Sequence, residues 1–211
     1  MINFLIVLFG LTILYVAATT RLEAHIKMLA AQGLILFIIS LLDFREMPGL
    51  NFALIALEAL VLKAIVIPLF LRQVIRRNEI YREVEPFISN FSAIVATSMI
   101  FVFGFVIAWW IFKVSADLRA LYFGISISTI MASLFFILTR KKLITHVMGF
   151  CMMENGIFLL SLSIAKEVPL LVSLGILLDI FVGIFLLSIF LNKIHSTFED
   201  MDVDALTSLK D

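Results

Sequence analysis

Long apolar runs separated by short charged stretches set the pattern of this chain. A helix that crosses a bilayer needs about 20 mostly apolar residues. The runs give seven such spans, at 2–19, 28–43, 51–71, 89–112, 118–139, 143–165 and 169–193. None alternates with the period of two that a barrel strand would show. Helices satisfy their own backbone polar groups in lipid, so an all-α integral membrane protein is predicted. The second span is short, and the third is interrupted by Glu58 and Lys63. Pro68 near the end of the third predicts a kink. The expected layout is one helical bundle over 1–194, with N-terminal helices in 1–71, a fourth helix at 89–112 and a three-helix unit at 118–193. An acidic tail, 195–211, follows it.

Composition agrees with lipid as the solvent. Hydrophobic residues make up 63% and charged residues 15%, against roughly 45–50% and about 25% in soluble domains. Net charge is zero, which argues against a nucleic-acid partner. Cys151 is the one cysteine, so no internal disulfide can form, and its apolar surroundings suit a packed thiol. No Lys or Arg precedes Arg21. The basic start of a signal peptide is therefore missing, and 2–19 reads as a retained helix.

Basic residues then predict the topology. One side holds Arg21, Lys27, Arg72, Arg76, Arg77, Arg82, Arg140, Lys141, Lys142, Lys193 and Lys210, which is 11. The other holds Arg45, Lys113, Arg119 and Lys166, which is 4. An N-terminus outside and a cytoplasmic C-terminus follow. The basic stretch 72–88 would lie along the membrane surface or form a solvated loop. Trp109 and Trp110 fall where an aromatic belt is expected at the outer end of the fourth span.

Four ionisable residues fall near mid-span: Glu58, Lys63, Glu154 and Asp179. Each costs about 2.5 kcal/mol or more at mid-bilayer. Such residues persist where they face the bundle interior, find a partner or line an ion path. On an α-helix, Glu58 and Lys63 would stand about 140° apart and face different neighbours. Lys63 would then pair with a carboxylate on another helix or subunit. Burial disfavours a charged carboxylate and a neighbouring ammonium favours it, so moving the ammonium changes proton affinity. Four such groups at one depth suit proton transfer. The alternative is a set of interior pairs that hold helices in register. Gln32, Ser126, Ser128 and Thr129 would add polar lining or serve helix packing. His25, His146 and His195 fall at helix ends, where capping is the simplest role. Of these, His146 is the best proton-entry candidate, two turns from Glu154 on roughly the same face.

An internal match is also present. Gln32-Gly33 in the second span aligns with Asn155-Gly156 in the sixth, and Leu57-Glu58 aligns with Leu178-Asp179. Spans one to three and five to seven would then form a parallel repeat.

The run Met152-Met153-Glu154-Asn155, with Asp179 in the following span, resembles the small three-helix K-type subunit of complex I and the C subunit of multi-subunit cation/proton antiporters. Those proteins carry a second glutamate where this chain has Asp179, a change that keeps the charge and shortens the reach. With its extra N-terminal helices, nearly the whole chain resembles hydrogenase-4 component E. The resemblance implies a non-catalytic membrane-arm subunit of a group 4 hydrogenase or complex I-like assembly in a prokaryotic plasma (inner) membrane. Antiporter-like and hydrogenase-anchoring subunits would be its partners, and the nickel-iron and iron–sulfur centres and quinone sites would belong to them. Glu154 and Asp179 would carry protons, with Glu58 and Lys63 extending the polar axis. Two other readings stay open: a stand-alone cation/proton transporter, and a structural scaffold. The residues show no nucleophile–base pair, phosphate loop or metal-ligand spacing, so an enzyme acting alone is the weakest reading.

Overall fold

A computed structural model describes residues 1–43, 57–77, 87–112, 118–164, 175 and 182–183 of this chain. The described residues are helical, with no strand. The helices are α1 (Ile2–Ala18), α2 (Leu22–Asp43), a π-helical segment (Glu58–Val66) running into α3 (Ile67–Arg77), α4 (Asn90–Phe112), α5 (Leu118–Thr139) and α6 (Leu143–Ile164). Four of them, α2, α4, α5 and α6, are long and apolar enough to cross a membrane, and α1 is an apolar helix of 17 residues. At about 1.5 Å per residue α1 is still close to the thickness of a hydrocarbon core. This is an all-α membrane protein. The seventh expected span, 169–193, and the tail 195–211 lie outside the described residues apart from Gly175, Val182 and Gly183.

Four helices form a ring. α1 packs on α2 and α5, and α6 packs on the same two helices. The π segment and α3 lie against α2, and α4 covers α1 and α5. Small residues set the closest approaches, as in other membrane bundles. A Cβ on Gly156 would stand 3.1 Å from Thr129 Cγ2 and 3.0 Å from Ile130 Cγ1 of α5. A Cβ on Gly33 would stand 2.6 Å from backbone atoms of both Lys63 and Ala64, so α2 and the π segment touch main chain to main chain.

Most of the described basic residues gather at one end, with Arg119 at the other and Lys63 between. Arg140, just past α5, donates to the Thr19 carbonyl past α1 at 3.5 Å. The Phe87 amide, before α4, donates to the Thr139 carbonyl at 3.1 Å, and Lys141 lies over the Phe87 ring. The exposed Trp109 and Trp110 close α4 at the other end.

Four expectations change. The second helix begins at Leu22, not 28, because its polar first turns are helical rather than loop. His25 in that stretch is fully buried rather than at the surface, and it caps the end of α1 from inside the bundle. Its Nε2 lies 2.9 Å from the Thr19 carbonyl oxygen, and its ring meets Phe136 edge-on at 5.2 Å. The third helix continues through Arg77, so 72–77 is helix rather than surface loop. Its first part is a π-helix, which ends with the Ile67 amide bonded to the Leu62 carbonyl. Proline has no N–H and crowds the carbonyl four residues back. The wider ladder directly before Pro68 accommodates it. Bonds from i to i+5 also widen the turn, so positions five apart stand closer to one face than on an α-helix. The 140° separation of positions 58 and 63 therefore does not hold.

Candidate functional site

The buried apolar side chains form two clusters, one toward each end of the bundle. Toward the basic end lie Ile13, Leu29, Leu71, Ala132 and Met152 with their neighbours. Toward the other lie Phe9, Ile35, Ala59, Ile125 and Phe158 with theirs. Between these clusters, on every element of the ring and on the π segment, sits a buried polar residue. These are Thr12 on α1, Gln32 on α2, Lys63 on the π segment, Ser128 and Thr129 on α5, and Glu154 and Asn155 on α6. A polar layer thus crosses the middle of the bundle, flanked by apolar side chains on both sides.

Part of this layer is one hydrogen-bonded chain. Asn155 Nδ2 donates to Gln32 Oε1 at 3.1 Å, and Gln32 Nε2 donates to Thr12 Oγ1 at 2.7 Å. Thr12 Oγ1 donates in turn to the Phe9 carbonyl at 2.6 Å. Three helices are pinned at one depth by neutral groups, each buried. Gln32 and Asn155 are also the residues that the internal sequence match sets equivalent, and they touch each other.

The charged part lies beside it. Glu154 is 4% exposed and Lys63 is 4% exposed. Lys63 Nζ stands 5.5 Å from the centroid of the Phe158 ring. Phe158 lies one turn beyond Glu154 on the same side of α6. The Lys63 ammonium therefore stands one turn along α6 from Glu154 and Asn155, beside the polar layer. Gly33 places it there by letting the π segment dock on α2.

The expected lining hydroxyls divide. Ser126 donates to the Phe123 carbonyl at 2.9 Å and Ser128 to Gly124 at 2.7 Å, so both bond back to their own helix. Thr129 Oγ1 is buried with no hydrogen-bond partner among the described residues, as is Ser133 Oγ one turn on. His146 is partly buried, with Nδ1 2.8 Å from the Lys142 carbonyl, a bond within its own helix end. The side chain of Glu58, all of Asp179 and His195 lie outside the described residues.

Sequence reasoning missed Thr12, Ser133 and Arg140. Arg140 is 2% exposed and its guanidinium lies 4.8 Å from the Phe136 ring centroid. No hydropathy pattern separates a buried arginine at a helix end from a loop cation. Among the described residues, no group of three His, Cys, Asp or Glu side chains lies together as metal ligands would.

Comparisons with known proteins extend this picture. Residues 121–211 match the family model of NADH-ubiquinone/plastoquinone oxidoreductase chain 4L. Glu154 and Asp179 both fall within that segment. An uncharacterized protein of Mycobacterium tuberculosis is 28% identical over 193 residues, covering 90% of this chain and 87% of that protein. Hydrogenase-4 component E of Escherichia coli K12 is 29% identical over 87 residues, 41% of this chain and 40% of that protein. That alignment is shorter than the near-full-length likeness expected from the sequence. The same protein of Shigella flexneri aligns to the same extent. No solved structure matches the chain. The C-terminal part of this chain, residues 121–211, is thus similar to NADH-ubiquinone/plastoquinone oxidoreductase chain 4L, and the chain has a weaker similarity to hydrogenase-4 component E.

Proposed function

We propose that this chain is a membrane-arm subunit of a group 4 hydrogenase or complex I-like assembly, and that it contributes intramembrane carboxylates to proton translocation. The redox chemistry and its metal centres belong to partner subunits. The observation that carries this reading is Glu154, buried at mid-bundle one turn along α6 from the ring over which the buried Lys63 ammonium stands. A buried carboxyl beside a movable ammonium changes its proton affinity when the ammonium shifts. Glu154 is the central carrier, with Asp179 the second, Glu58 and Lys63 the extension, and His146 a weaker entry point at the basic end. The basic end faces the cytoplasm of a prokaryotic cell, as the charge asymmetry favours.

Glu154→Gln in the intact complex tests the reading. It keeps shape and hydrogen bonding and removes the titratable proton. The complex should assemble and turn over while proton uptake into vesicles per electron pair falls severalfold or more. Unchanged coupling sinks the proposal. The Thr12–Gln32–Asn155 brace favours a second reading, a scaffold subunit whose polar layer locks its helices. That reading expects the same variant to lose assembly instead. Transport by the purified chain alone in liposomes would point to a stand-alone transporter.

A further inference from the structure

Between α2 and the π segment with α3 lies a cavity of about 330 Å³. The two elements touch at Gly33, where the main chain of Lys63 and Ala64 leaves no room for a Cβ. From that contact the cavity opens toward the basic end. Ala30, Ala64 and Pro68 line its inner part, and Glu23, Lys27 and Arg72 its outer part. Lys27 stands six residues along α2 from Gly33, and Arg72 eight residues along the other element from Ala64. At about 1.5 Å per residue they lie roughly 9 and 12 Å from that contact, both toward the basic end. Both cations are exposed.

A charged rim over an apolar floor, at the edge of a membrane bundle, matches the profile of a lipid. Two cations and one carboxylate leave the rim with one net positive charge, the complement of a single phosphodiester. Ala30 and Ala64 are small and leave room where larger side chains would close the floor. We infer that this cleft binds one glycerophospholipid. Its phosphate lies between Lys27 and Arg72, a hydroxyl or ammonium of its head group donates to Glu23, and an acyl chain follows Ala30, Ala64 and Pro68. Basic pockets between membrane helices are known to take anionic head groups in this way. The site stands whether or not Glu154 carries protons.

The test is native mass spectrometry of the full chain within its complex, extracted in mild detergent and titrated with phosphatidylglycerol. One tightly held lipid per chain is expected. Lys27→Gln and Arg72→Gln should each weaken it roughly fivefold, and the double variant tenfold or more. Lys141→Gln, an exposed cation at the same end, should leave it unchanged. Ala30→Leu, which keeps the charges and fills the floor, should also weaken it. Equal lipid retention by the double variant overturns the proposal. So does displacement by inorganic phosphate at millimolar concentration, which would mark an anion site without an acyl groove. A partner-subunit helix cross-linking into the cleft, with no lipid retained, overturns it as well.

Discussion

Gln32 uses both ends of its amide across helices, accepting from Asn155 on α6 and donating to Thr12 on α1. Leucine at this position keeps the volume and removes both bonds, leaving two buried polar groups without that partner. Interhelical hydrogen bonds in membrane proteins are worth about 0.6 kcal/mol on average, with a maximum near 1.7. A double-mutant cycle of Gln32→Leu and Asn155→Leu, read by unfolding in detergent, should give a coupling within roughly that range. Zero coupling would mean the bond does not hold the helices. Gln32, Glu154 and Asn155 were legible in the sequence because a polar residue inside an apolar run is conspicuous. Thr12 was not, because threonine is common in membrane helices and nothing in its neighbours marks a partner 20 residues away. His25 escaped for a different reason. Its burial depends on the Thr19 carbonyl and the Phe136 ring, both supplied by the fold.

At the scale of elements, the contact of α2 with the π segment rests on one missing side chain. Gly33→Ala would set a Cβ 2.6 Å from main-chain atoms that cannot rotate away. The helices must separate, at a cost of about 1–3 kcal/mol typical of overpacking. Gly183→Ala, whose Cβ would meet nothing within 4 Å among the described residues, should stay within roughly ±0.5 kcal/mol. Thermal unfolding of both variants in detergent checks the contrast. Hydropathy located α1, α4, α5 and α6 to within a residue at either end. It misplaced the start of α2 because Glu23, His25 and Lys27 interrupt the apolar run while the helix continues through them. The π segment has no hydropathy signature. Pro68 marked an irregularity, but not that the backbone would widen before it.

At the scale of the whole molecule, the described residues form a ring of helices with a mainly basic end, an aromatic end and a polar layer between. A reporter fused after residue 211 should be active in the cytoplasm, and one fused before Met1 outside. A reversed pattern would break the orientation, while leaving the bundle as described. The polar layer has a further consequence for charge movement. Its Asn155–Gln32–Thr12 section consists of amides and a hydroxyl whose bonds to one another all run in one direction, from α6 toward α1. Amides neither take up nor release protons readily near neutral pH, so this section is an electrical insulator as well as a brace. If Glu154 carries protons as proposed, they must leave it by a route other than this brace.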